Sequence, residues 1–319
     1  NDNYCNGTPK LDRIEVKTIR DGDTMTMALQ SGELDAAYGL PYSNLILFRD
    51  EPYTISSADT SRTFFGQFNG SSEVLQDDRV REAVIGAIDR EGFVNTLMEG
   101  NGSVAEGPFP SYFAFGDSKV QEESYDLEYS RELLAEAGWT DTDGDGIIEK
   151  DGKPLSLDFI YYSGRAELPL FAEATQSDAK KVGIQINLKN VDYNVLDGIG
   201  TRGEYDLLIS NILTEQAGDP EVFLNMYWKT NVNGSNPQNG SGYSNPAYDA
   251  LSDQLASEFD PAKRRDIIIQ MEKILQDTSA TVIFGYPQTN MISTTAVAHA
   301  DIKPCDYYWI TDKITPAGK

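Results

Sequence analysis

The sequence predicts an α/β protein. Segments alternating with period two take turns with segments of helical period along the chain. Most helical segments carry their own punctuation, an Asp, Asn or Pro before and a Gly after. An apolar fraction of 39% is enough to fill a packed core.

In order, Ile14 to Ile19 (IEVKTI) alternates as a strand, and Asp23 offers an N-cap to a short helix stopped by Gly32. Residues 33–41 follow as a strand and 43–49 as a helix-sized piece; TFFGQFN (63–69) is extended. Asp77 or Asp78 caps a helix running to Arg90, with Val80, Ala83, Val84, Ala87 and Ile88 on one face. GFVNTLMEG (92–100) is a second helix, and 101–125 reads as a long loop. Asp126 caps a helix ended by Gly138, and 155–162 is a strand. Residues 165–182 are helical up to Gly183, 184–191 alternate, a glycine-containing helix follows, and 205–210 is a strand. EVFLNMYW is helical, and 229–245 are rich in turn residues. Pro246 and Pro261 open two helices, at the position where a missing N–H costs nothing. Residues 281–287 form a last strand and the tail is irregular.

The 319 residues hold 51 acidic and 26 basic side chains, a net charge of −25. Such a chain is repelled by nucleic acid and anionic membranes and stays soluble by self-repulsion. No apolar run reaches the roughly 20 residues of a membrane span. The chain starts at Asn1 without Met or a signal segment, so it reads as processed or truncated. A single histidine, His299, excludes two-histidine metal sites, and no nucleophile elbow, P-loop or dinucleotide fingerprint is present. Cys5 and Cys305 show no metal-ligand spacing and read as two free thiols; a bridge between the chain ends is the alternative.

Asp141-x-Asp143-x-Asp145-Gly146 is the sharpest local motif. Carboxylates at alternate positions before a Gly turn suit Ca²⁺, with the Ile147 carbonyl and Glu149 as further donors. Yet Gly152 stands at the twelfth position and a strand follows. An acid-rich hairpin turn is therefore the first reading and a structural Ca²⁺ the second; no other cofactor is expected. Asn-Gly-Ser/Thr triplets at Asn6, Asn69, Asn101, Asn233 and Asn239 read as turns. The loop aromatics Phe109, Tyr112, Phe113, Phe115, Tyr227, Trp228 and Tyr243 are candidates to line a ligand cleft.

Five stretches in order resemble the extracytoplasmic solute-binding proteins of peptide and nickel ABC importers: the opening through ALQSGELD, VREAVIGAIDR with its GNGSVAEGPFP loop, AGWTDTDGDG with GKPL, AGDPEVFL, and the late helix pair. The resemblance implies two α/β lobes that trap a solute between them, joined by the crossovers TFFGQFN and TVIFGYPQTN. Residues 1–62 and 288–319 would form a partial lobe one, lacking its N-terminal part, and 63–287 a nearly complete lobe two. Peptide binders of the family carry an Asp three residues before the Asp of GDP. Gln216 stands there with Glu215 beside it, and the nickel-binding His of the following loop is absent. The implied wall residues are Asn69, Glu215, Gln216, Asp219, Tyr227 and Trp228, although Asp219 also reads as a cap of the helix that follows.

The expected function is a non-enzymatic, extracytoplasmic, periplasmic or lipid-anchored subunit that delivers an oligopeptide or other small polar solute to a membrane permease. A secreted carboxylate-dependent glycoside hydrolase and a Ca²⁺-stabilised interaction domain are the alternatives. Apolar surface around Ile14, Val16, Leu29 and Leu34 is expected to be exposed and to promote self-association.

Overall fold

A computed structural model describes residues 4–105, 107–116, 124–215, 218–305 and 309–318. Its strands are β1 (Ala36–Tyr38), β2 (Tyr53–Asp59), β3 (Arg62–Phe68), β4 (Gly102–Val104), β5 (Glu149–Lys150), β6 (Lys153–Pro154), β7 (Ser156–Tyr161), β8 (Gln185–Asn190), β9 (Leu207–Leu213), β10 (Thr281–Thr294), β11 (Val297–Ala298) and β12 (Thr315–Pro316). The helices are α1 (Gly22–Gln30), α2 (Asp78–Ala87), α3 (Arg90–Gly92), α4 (Leu127–Glu136), α5 (Glu167–Lys180), α6 (Tyr193–Arg202), α7 (Glu221–Trp228), α8 (Pro246–Leu255) and α9 (Pro261–Asp277). The chain forms two compact units: Asn1–Thr60, Met98–Gly102 and Pro287–Lys319 in the first, Ser61–Leu97 and Ser103–Tyr286 in the second.

In the first unit the later part of β10 pairs antiparallel with β1 and β2, with Ser293 opposite both Ala36 and Thr54. Met291 and Ile302 are buried at its centre, and Tyr38 stacks on Trp309 at 5.4 Å. The Asn290 side chain pins the chain after β1, accepting from the Leu40 N–H and donating to its carbonyl. Cys5 and Cys305 are free thiols. The strand expected at Ile14–Ile19 is not formed: among the described residues no strand pairs with this segment, and Ile14 and Val16 are exposed. Alternation permits a strand, but a ladder partner is needed to make one. The cap of α1 is Asp21, which accepts from the Thr24 N–H, and not Asp23. Leu29 lies in the core instead of on the surface, and Leu34 is half-buried.

The second unit is built on the strand order β10-β3-β9-β7-β8. β3 is antiparallel to β9 and to the first part of β10, whereas β7 is parallel to β8 and β9. α5 packs on β7 and β8, and α2 against α4. Val80, Ala83, Val84 and Ala87 of α2 are fully buried, as their spacing requires. That helix stops at Ala87, before Arg90, because Ile88 turns extended and Asp89 caps the next turn. Asp77, Asp126, Asn245 and Asp260 each accept backbone N–H groups at a helix start, contributing about 1 kcal/mol apiece. One buried core cluster lies between the β3/β10 side of the sheet and α7, α8 and α9, around Phe65, Phe223, Trp228, Tyr248, Met271 and Ile283. Phe109 is buried there, and Phe113, Phe115 and Tyr243 pack against it, so most of the expected cleft aromatics are packing residues. The Asn239–Ser241 turn presses directly on α6: a Cβ on Gly240 would lie 1.5 Å from the Gly200 carbonyl oxygen.

Candidate ligand-binding site

The parallel strands define where a ligand site belongs. From β7 the chain leaves through α5 to β8 on one side of the sheet order; from β9 it leaves through α7, α8 and α9 to β10 on the other. Where adjacent parallel strands send their connections apart, the loops separate and a crevice opens at the carboxyl ends. β7 and β9 are such a pair.

Tyr162 is the hub of this edge. Its ring is buried and meets the exposed ring of Tyr193 edge-on at 5.2 Å. Burial raises the Tyr162 phenol above its usual range, opposed by Arg165, a backbone hydrogen bond from Asn211 and Arg62. The Asn211 side chain accepts from Arg62 Nη1 at 3.2 Å, and Arg62 lies opposite Leu213 at the end of β9. Tyr227 of α7 completes the phenol group. Burial drives its pKa far upward, helped by Asp197 and the neighbouring tyrosines, and its hydroxyl has no hydrogen-bond partner among the described residues. Both buried phenols thus stay protonated donors over the physiological range.

Two charged groups on the turn after β7 are unpaired. Arg165 is half-buried and makes no ion pair or side-chain hydrogen bond among the described residues. Glu167, the first residue of α5, is likewise half-buried without a partner side chain; burial raises its carboxyl pKa, opposed by its own backbone N–H and Arg165.

The residues expected from sequence are distributed unequally. Glu215 stands two residues after β9, at the crevice end of that strand, half-buried; Gln216 lies outside the described residues. Asn69 sits at the opposite end of the sheet, its N–H bonded to Asp206 just before β9. A seven-residue strand separates it from Glu215, about 20 Å. Its side chain is saturated, donating to the Gly203 and Tyr205 carbonyls and accepting from the Ser71 N–H. Trp228 is a core residue packed on Phe65, Phe223 and Tyr227. Asp219 accepts from the Glu221 N–H and pairs with Arg264 at 2.7 Å, tying the starts of α7 and α9 together. Sequence reading missed Tyr162, Tyr193, Arg165, Arg62 and Asn211. The usable signal was position: Tyr162 to Arg165 directly follow a strand that leads into a crossover helix.

Apart from this edge, Asp141, Asp143, Asp145 and Glu149 hold ligand oxygens within 4.8 Å of one another. The same carboxylates organise the turn: Asp141 accepts from the Gly144 and Gly146 N–H groups, Asp145 from Ile147, and Glu149 from Thr142. Gly144 and Gly146 both take positive φ, and the short β5–β6 hairpin follows instead of a helix.

The strand-end crevice carries phenols and guanidinium groups on a mixed sheet flanked by helices. The model of the bacterial extracellular solute-binding proteins, family 5 (middle part), matches residues 1–235, and the chain belongs to that family. The oligopeptide-binding protein AppA of Bacillus subtilis is 33% identical over 202 residues, 61% of this chain and 36% of that protein. The probable D,D-dipeptide-binding periplasmic protein DdpA of Escherichia coli is 28% identical over 284 residues, 88% of this chain and 52% of that one. The crystal structure of NikA from Staphylococcus aureus with Ni(L-His)2 superposes with a TM-score of 0.83 at 26% identity, covering 98% of this chain and 64% of that one. The chain therefore spans between about a third and two thirds of the length of these relatives. The solved relative has the two-lobe architecture expected from the sequence. Among the described residues no helix is long and apolar enough to cross a membrane.

Proposed function

We propose that the protein is the solute-binding subunit of an ABC importer, which captures a peptide or other small polar solute outside the cytoplasm and hands it to membrane permease subunits. The observation that carries this is the β7/β9 crevice: unpartnered donors and aromatic walls on a framework shared with proteins named for binding oligopeptides and dipeptides. In this reading 63–287 is lobe two, and 1–62 with 288–319 belongs to lobe one. The phenols and charged groups hold and orient a solute, and none of them is asked to do chemistry. The test is a ligand-observed NMR titration of the chain with di- to pentapeptides, run beside a chromogenic glycoside assay. Saturable peptide binding without turnover is the expected result; glycoside hydrolysis without peptide binding would replace this reading with the hydrolase. We also propose that the Asp141–Glu149 loop takes Ca²⁺ as a structural ion, a reading supported by its four gathered carboxylates.

A further inference from the structure

Asn-Gly pairs recur along the chain, at Asn6, Asn69, Asn101, Asn233 and Asn239. In each, a side-chain amide carbon stands next to a backbone N–H that no following side chain shields. The fold treats the five differently. Asn69 is buried, its amide donates twice and accepts once, and the Gly70 N–H is taken by the Ser241 carbonyl at 2.7 Å. Asn239 is buried as well, donating to the Lys229 and Tyr243 carbonyls and accepting from the Ser241 hydroxyl. The Asn101 amide donates to the Met98 carbonyl at 2.9 Å. The Asn6 amide donates to the Tyr4 hydroxyl at 3.3 Å, and the Gly7 N–H is held by the Tyr4 carbonyl.

Asn233 differs from the other four. It is exposed, and among the described residues neither its side-chain amide nor the Gly234 N–H has a hydrogen-bond partner. The two residues form the corner of a tight turn closed by the Ser235 N–H on the Val232 carbonyl at 3.0 Å. Asn233 takes a φ of 54° and Gly234 one of 82°. A residue with a Cβ enters that region at some cost, so the backbone does not oppose rotation of Asn233 out of it. The base of the turn is fixed separately. The Asn236 side chain donates to the Asn225 and Lys229 carbonyls, and its N–H donates to the Asn231 side chain at 3.1 Å. The corner can therefore rearrange while its base stays in place.

We propose that Asn233 is a site of spontaneous deamidation. The Gly234 N–H gives its proton to hydroxide and the nitrogen attacks Asn233 Cγ. The new N–Cγ bond closes a succinimide ring as the Cγ–Nδ2 bond breaks, and the amide nitrogen leaves as ammonia. Water then opens the ring at either carbonyl, leaving aspartate or isoaspartate, with no oxidation or reduction. The product carries one more negative charge on a chain already at −25, and isoaspartate adds a methylene to the backbone of the exposed corner. The modification is independent of what the crevice binds.

The test is incubation of the folded 319-residue chain at mildly alkaline pH, with a parallel sample in guanidinium chloride. Peptide mapping by mass spectrometry follows the exchange of NH2 for OH at each Asn-Gly pair, and enzymatic methylation of the 233 peptide detects isoaspartate. In the folded chain Asn233 should convert at least about 10-fold faster than Asn69 or Asn239, which must first break two or more hydrogen bonds. In guanidinium chloride the five pairs should converge. Asn233→Gln, which would need a larger ring, should abolish the isoaspartate signal of that peptide and leave the thermal midpoint unchanged. An intact Asn233 in the folded chain, equal conversion of Asn69 or Asn239, or a preference for Asn233 that persists in guanidinium chloride would overturn the proposal.

Discussion

Replacing Phe223 by Ala tests how the second unit holds its crevice. Phe223 has no exposed surface and meets four rings: Trp228 at 5.1 Å, Phe65 at 5.4 Å, Tyr227 at 5.6 Å and Phe109 at 5.7 Å. Truncation removes the whole ring, and a Phe→Ala change in a core costs about 3–5 kcal/mol. Edge-to-face ring pairs contribute about 0.5–1.5 kcal/mol beyond their area. With four such neighbours the cost should lie at the upper end, about 5 kcal/mol. That is a large share of the roughly 5–15 kcal/mol that stabilises a folded domain. For a unit of this size it lowers the thermal midpoint by about 10–20 °C. Phe223→Leu keeps much of the volume and should cost about 1–2 kcal/mol. Tyr227 lies one helical turn further along α7, so Phe223→Ala should also weaken solute binding through loss of its packing partner. Near-UV circular dichroism during heating, with urea titrations at 25 °C, reads both variants. A Phe223→Ala protein within 1 kcal/mol of wild type would refute the reasoning, because no buried ring in that setting is so dispensable.

Val84→Asp places an unpaired carboxylate on the buried face of α2 and should cost about 3–5 kcal/mol; an equally stable variant would show that the face is not buried. Tyr248→Phe removes the hydroxyl that donates to the Leu224 carbonyl at 3.0 Å and should cost about 1 kcal/mol at neutral pH. Burial raises the Tyr248 phenol above its ordinary 10.0, so its stabilisation is complete below pH 10 and lost as pH rises through the folded value. Urea midpoints should therefore show the gap to Tyr248→Phe narrowing above pH 10; a constant gap to pH 11 would contradict this. Ca²⁺ at a hundredfold excess over its dissociation constant should stabilise the chain by about 2.7 kcal/mol and Asp141→Asn should abolish the response, whereas a midpoint indifferent to Ca²⁺ and chelator would leave the loop an acid-rich turn.

Much of the helical framework was legible because its determinants are local. Asp77, Asp126, Asn245 and Asp260 cap where a short polar residue precedes a helical period. Gly138 and Gly183 take the positive φ that ends a helix. The strands were less legible where pairing is remote. TISSAD within β2 has little apolar alternation and became a strand because β10, more than 200 residues later, pairs along its length. IEVKTI alternates well and has no such partner among the described residues. The acidic loop was fully visible, since its spacing alone brings the carboxylates together. The crevice was not, because Tyr162, Tyr193 and Tyr227 come from β7, α6 and α7 and meet only once the parallel strands fix where those segments leave the sheet.

The route of β10 sets a timetable for synthesis. Ala36 pairs with Ser293, and Tyr53 with Thr294, so β1 and β2 leave the ribosome some 240–260 residues ahead of their partner. At roughly 5–20 residues per second, that is an interval of about 12 to 50 s. Throughout it the first unit has strands with open edges and no sheet to close them, whereas β7, α5 and β8 are complete within a few seconds of one another. The segment that holds β1 and β2 therefore carries an aggregation hazard during that interval, and a holdase that binds it would protect the nascent chain until β10 emerges.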